Sequence, residues 1–478
     1  MQGEPFDVVV RGGTVVAEGE PYRADIGIKN GTIAAIVQPH QPAVSAREII
    51  DASGKMVLPG AIDCHVHFRQ PGYDHKEDWA HGTLAAAFGG VTTVIEMPNT
   101  DPPTDSVEHF LAKKEFAQRH AYVDFGLYGL ISDRSYKNIE AMHQAGVVGF
   151  KSYLSNSASS HVSMISDGSL LESFEILAGL GSRCVIHAEN GSVIDNRTRR
   201  LMAAGRVDPR AHAESRPDVC AVEAVARCII FAEWTGAQIH IAHEGVAAAI
   251  EFISEAKRRG VDVTVETCPQ YLLLSVEDLA RIGGLMRCNP PLRDPSNHER
   301  LWQALRSGEI DVLATDHAPH TPAEKLKRDI WECQCGMLGV ETAMSLMLTE
   351  VSRGRLTLSE YVKLSATNPA KLWRLYPRKG TLQVGSDADI AIVDLDRGRD
   401  IDQEKLHSKS KISPWHGRSV RGLPVCTMVR GRVIVRDDAV HGEPGWGAYV
   451  TQTPPKPAPR NILGSPARSH HAEGGPKH

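Results

Sequence analysis

Between residues 57 and 370 the chain repeats one unit: a short apolar run rich in Val and Ile, then a helix-like stretch. The candidate strands are 92–97, 123–128, 149–153, 184–187, 238–243, 262–267 and 311–314. The clearest helical stretches are 84–88, 223–234, 247–258 and 298–307. Repeated β-then-α units require parallel strands joined by crossover helices. About eight such units close on themselves, and a block of this length suits that closure. The predicted class is α/β, a (β/α)8 TIM-type barrel, with a doubly wound sheet as the alternative. No G-x-G-x-x-G or G-x-x-x-x-G-K-S/T motif occurs, which counts against a nucleotide-binding form of that alternative.

The two chain ends read differently. Segments 6–10, 13–16, 24–29 and 32–37 are β-like, with Asn30-Gly31 as a hairpin turn. Segments 388–395, 425–430 and 432–435 answer them from the other end. The prediction is a small composite β-sandwich formed by both ends, 1–56 and 376–450, around a barrel at 57–375. Residues 451–478 form a Pro-, Gly-, Ser- and His-rich tail. Such a tail cannot bury an apolar face and is expected to be disordered, with His470, His471 and His478 in solvent.

Composition narrows the partners. Lys plus Arg is 53 against 58 Asp plus Glu, a net charge of −5. That gives no global electrostatic reason to bind nucleic acid or an anionic membrane. The first residues lack the basic-then-apolar order of a signal peptide, and no apolar run is long enough to span a bilayer. Nine cysteines without a regular framework read as reduced thiols in a cytoplasmic protein. Cys333 and Cys335, the one close pair, read as unrelated loop thiols, since zinc pairs normally have two or more intervening residues.

The chemistry lies at the strand ends. Asp63-Cys64-His65-Val66-His67 follows the apolar run 57–62. Side chains two apart on a strand share a face, so His65, His67 and Asp63 are expected to point together. Two imidazoles can hold one metal, and a carboxylate can orient an imidazole from behind. Alone, H-x-H is a weak signal. Lys151, His187, His243 and Asp316, however, close later apolar runs. A charged or imidazole group there is costly unless it is paired or ligating. Lysine is the odd member, because an ammonium repels cations. A carbamate of Lys151, formed with carbon dioxide, is instead an anionic oxygen ligand that can bridge two metals. His65, His67, Lys151, His187, His243 and Asp316 then divide into two neighbouring sites for Zn²⁺ or a similar divalent ion. The alternative for Lys151 is a structural salt bridge to Asp316 or Glu189. His240 is expected to face away from His243 on its strand.

This pattern resembles the amidohydrolase superfamily, and within it the cyclic-amide hydrolases: dihydroorotase, allantoinase and dihydropyrimidinase (hydantoinase). The resemblance runs from the N-terminal β segment through Asn368-Pro369-Ala370-Lys371 to Lys379-Gly380-Thr381 and Gly385-Ser386-Asp387-Ala388-Asp389. It implies the barrel and composite sandwich, two divalent metals with an N6-carboxylysine at Lys151, and a homodimer or homotetramer. His65-Val66-His67-Phe68-Arg69-Gln70-Pro71-Gly72, Met97-Pro98-Asn99-Thr100, Asn289-Pro290-Pro291-Leu292-Arg293 and Asp316-His317-Ala318-Pro319-His320 look most like dihydroorotase. That likeness implies substrate contacts from Arg69, Asn99, Asn289 and His320, with Arg69 and Asn99 near a carboxylate; a surface ion pair is the other reading of Arg69.

Other residues depart from that subgroup. Gln270 in Pro269-Gln270-Tyr271 and the run His187-Ala188-Glu189-Asn190 lean towards hydantoinase or allantoinase. Gln334-Cys335-Gly336 and His243-Glu244-Gly245 also differ. The leading expectation is dihydroorotase-like opening of a cyclic amide by a metal-bridging hydroxide, with Asp316 as base and then acid. The alternatives are another cyclic ureide or imide, a different amidohydrolase reaction, and a non-catalytic scaffold homologue.

Overall fold

The computed structural model describes residues 5–17, 19–39, 45–156 and 162–454. Five strands precede the repeating block: β1 (Phe6–Val15), β2 (Tyr22–Lys29), β3 (Thr32–Val37), β4 (Ala46–Asp51) and β5 (Met56–Pro59). Eight follow within it: β6 (Ala61–Val66), β7 (Val91–Glu96), β8 (Asp124–Leu130), β9 (Gly149–Tyr153), β10 (Arg183–His187), β11 (Gln238–Ile241), β12 (Val263–Thr267) and β13 (Val312–Leu313). The last four are β14 (Ile390–Asp400), β15 (Ser419–Val429), β16 (Arg432–Arg436) and β17 (Ala439–Val440).

β6 to β13 lie side by side in chain order, every pair parallel. A bridge between Val66 and His317 links the first strand to the chain just after the last, with the His67 amide donating to the His317 carbonyl at 2.8 Å. The α/β barrel expectation therefore holds, and the doubly wound alternative does not. Every residue of β6 to β10 is buried, as a sheet with side chains on one face and helices on the other demands. The helix Asp218–Thr235 shows how the outer layer docks. Its buried Cys220, Ala221, Ala224, Val225, Cys228, Ile229 and Ala232 recur at helical spacing, and Gly236 ends it at φ +76°.

The remaining strands form one nine-stranded sheet from both chain ends. β1 is its fork: β2 takes one edge, and β4 and β5 share the other. β5 then pairs with β14 from the far end of the chain. Val10, Ile26, Ile28 and Val57 from the first end share one core with Ile390, Ile392 and Met428 from the second. The chain passes from β5 into β6 through Gly60, where a Cβ would lie 2.2 Å from the Thr92 side chain.

Three carboxylates and one lysine lock the sheet to the barrel. Lys379 Nζ lies 2.7 Å from Asp124, 3.0 Å from Asp387 and 2.6 Å from Asp389. The predicted tail begins as an ordered strap: Gln452 donates to the Val148 carbonyl at 2.8 Å and Thr453 to that of Arg374 at 2.9 Å. Its remainder, with His470, His471 and His478, lies outside the described residues. All nine cysteines are free and buried. Among the described residues no helix is long and apolar enough to cross a membrane.

Candidate metal centre

The C-terminal strand ends converge on one cleft. His65 lies inside β6 and His67 just beyond it, and alternation points both rings inward. His67 Nε2 is 3.1 Å and His65 Nε2 3.4 Å from Asp316 Oδ1. Opposite them His187 Nδ1 and His243 Nε2 are 3.1 Å apart. The His65 and His243 ring centroids, 5.0 Å apart, join the two halves. Arg69, His243 and Asp316 stand at φ +65°, +37° and +49°. Non-glycine residues pay for that region, and such strain clusters at functional sites.

Lys151 on β9 is fully buried, and its Nζ has no hydrogen-bond partner. Burial pushes its ammonium down to about 8. Neither alternative salt bridge is made. Glu189 is held by Arg216, by His187 Nε2 at 2.8 Å and by Arg293 at 3.5 Å, while Asp316 faces the histidines. His243 Nδ1, the Tyr153 hydroxyl and Asn289 Oδ1 are likewise buried without partners. Buried polar groups are normally satisfied. A cluster of orphaned nitrogen and oxygen donors around one space fits divalent cations.

Several imidazoles are backed from behind. Glu266 accepts from His65 Nδ1 and, at 3.1 Å, from His240 Nε2. Asn99 Oδ1 lies 2.7 Å from His67 Nδ1, so this amide orients a histidine. Burial, with Arg69 nearby, lowers His67 to about 4 despite the Asp316 contact. Two expectations need correction. Asp63 orients backbone and not an imidazole: its carboxylate accepts from the His65 amide (3.2 Å), the Thr315 amide (3.2 Å) and the Thr315 hydroxyl (2.5 Å). Burial outweighs those bonds and raises it to about 6. His240 does not face away from the site's interior side. The strand stops at Ile241 and His243 is left-handed, which resets the alternation and leaves both rings inside.

The cleft is lined by the five ligand-type residues just described together with Arg69, Asn99, Tyr153, Ser155, Asn156, Asn289, Ala318, Cys335 and Gly336. Arg69 is buried, donating through Nε to the Pro319 carbonyl at 3.2 Å, and burial lowers its guanidinium. His320 stands behind it, 3.0 Å from Arg69 and from the Cys335 carbonyl, and does not line the cleft. Gln270 braces the Asp316 loop through the Thr315 carbonyl at 3.1 Å. Tyr153, Ser155, Asn156 and Glu266 were not anticipated as site residues. Glu266, inside the strand run Val-Glu-Thr, carried the one available signal: an acid in an apolar strand.

A family model described as "Amidohydrolase family" matches residues 56–434. An L-hydantoinase of Paenarthrobacter aurescens is 40% identical over 453 residues, covering 94% of this chain and 98% of that protein. An allantoinase of Rubrobacter xylanophilus is 38% identical over 447 residues, covering 93% and 97%. A solved L-hydantoinase (dihydropyrimidinase) from Arthrobacter aurescens superposes with a TM-score of 0.91 at 40% identity, covering 94% of this chain and 100% of that one. These names favour the hydantoinase and allantoinase reading over the dihydroorotase one.

Proposed function

The chain belongs to the amidohydrolase family, and from that premise we propose that it is a metal-dependent hydrolase of the hydantoinase and allantoinase type, opening the ring of a cyclic ureide. The observation that carries the reading is the convergence of four imidazoles and Asp316 on one cleft, with the buried, unpartnered Lys151 on β9 beside the strand that carries His187. His65, His67 and Asp316 would hold one divalent ion, His187 and His243 a second, and carboxylated Lys151 would bridge them. Two such ions supply a polarised carbonyl and water acidified to near neutrality.

The chain's own groups then divide the work. Water adds to the ring carbonyl carbon, the ring C–N bond breaks, and the nitrogen leaves with a proton. Asp316 is the group placed to take the proton from water and return it to that nitrogen. The histidines beside it outweigh burial and hold its carboxyl well below the usual range, so it is ionised at the start. Burial raises the Tyr153 phenol, keeping it a donor for the carbonyl oxygen as charge develops there. Arg69, Ser155, Asn156 and Asn289 make most of the wall polar, with Ala318, Cys335 and Gly336 as its small, less polar part. Such a wall favours a compact ring substituent rich in hydrogen-bonding groups, such as the ureido arm of allantoin, over a bulky aliphatic or aromatic one.

The test is metal analysis of purified protein with assays on allantoin, apolar 5-substituted hydantoins, dihydrouracil and dihydroorotate. The expected result is about two divalent ions per chain and the highest kcat/KM on allantoin. Fastest turnover of dihydroorotate restores the carboxylate reading of Arg69. No turnover of any ring, after loading with zinc and bicarbonate, leaves the scaffold.

A further inference from the structure

Cys64, His240 and Glu266 form a second, fully buried group with cation-ligand chemistry, beneath the cleft. Its donors are already spent on one another. His240 Nδ1 meets the Thr264 hydroxyl at 2.8 Å and Nε2 meets Glu266 Oε2 at 3.1 Å. The Cys64 thiol donates to Glu266 at 3.4 Å, and burial pushes it well above its ordinary range.

What the group does is fix one carboxylate. Glu266 on β12 reaches two other strands. Oε1 accepts from His65 Nδ1 and from the backbone amide of His243 at 3.1 Å, while Oε2 is held by His240 and Cys64. A carboxylate held against Nδ1 fixes the ring and turns His65 Nε2 to the cleft, towards Asp316. The same oxygen anchors the left-handed turn that aims the His243 ring at the other half of the site.

We infer that Glu266 is a positioning residue that ties the two halves of the proposed centre together, through the His65 ring on one side and the His243 backbone on the other. Asn99, by contrast, backs His67 alone. The inference rests on the metal-dependent reading above.

The experiment follows release of bound zinc to a chelator from wild type, Glu266→Gln and Asn99→Ala, with unfolding of each metal-free protein alongside. Glu266→Gln is expected to weaken retention of both ions together by about 10–100-fold, while Asn99→Ala loosens one. If Glu266→Gln fails to fold, Glu266→Asp keeps the charge, withdraws it by one methylene and is expected to show the same joint loss. A Glu266 variant that keeps both ions as wild type does, or loses only one, overturns the inference. Wild type that takes up no zinc instead overturns the metal-dependent reading, and with it this one.

Discussion

Lys151 and Lys379 are withdrawn from solvent almost equally, at 0% and 2% exposure, and their surroundings are opposite. Lys379 sits among Asp124, Asp387 and Asp389, whose charges outweigh burial and raise its ammonium above the ordinary 10.5. Lys151 has no hydrogen-bond partner, and burial lowers it to about 8. A buried cation with three acids is a rivet between barrel and sheet. A buried lysine with none is a group the fold maintains at a cost, which a carbamate and its cations would remove. Chemical completeness, more than burial, separates the structural lysine from the one proposed to hold metal.

The largest expected effect lies on the Lys151 side. Asp316→Asn should lower kcat by about 10²–10⁴-fold while keeping bound metal and the unfolding midpoint. Near-wild-type turnover in steady-state assays removes Asp316 from proton transfer.

Next comes the rivet. Lys379→Met leaves three acids together without their lysine and should cost about 3–5 kcal/mol in denaturant unfolding, with kcat per folded molecule intact. Because the folded-state value is raised, this contribution is fully present below 10.5 and is lost only as pH rises through the higher folded value. The deficit should therefore be flat through the neutral range. A deficit that vanishes on moving from neutral to mildly alkaline buffer breaks the assignment.

The smallest effect sharpens the contrast. In chelator-treated protein, Lys151→Met should be more stable than wild type by about 1–3 kcal/mol, the cost of an unsatisfied buried donor. A metal-free variant that unfolds earlier than metal-free wild type would mean that Lys151 has a structural partner after all.

The contrast also explains what was legible in the sequence. His65, His67, Lys151, His187, His243 and Asp316 could be found because each ends an apolar run, where a polar side chain is out of place unless it has work. The strand at 149–153 and the helix at 247–258 were read with the bounds the structure gives, because apolar periodicity and strong helix formers agree there. His240 and Asp63 were misread in orientation. Their roles depend on Cβ directions at strand ends, where alternation fails once the chain leaves the sheet.

The sequence by itself determined the repeating β-then-α order, the composite sheet of both ends and the polar residues at the strand ends. These follow from periodicity and burial cost, both local properties. Only the tertiary structure decided that Glu266 backs His65 from 201 residues away, that Lys379 is satisfied and Lys151 is not, and that His320 stands behind Arg69. Hydrogen bonds and ion pairs act over a few ångströms with strict direction, and barrel closure alone brings such distant residues within that range.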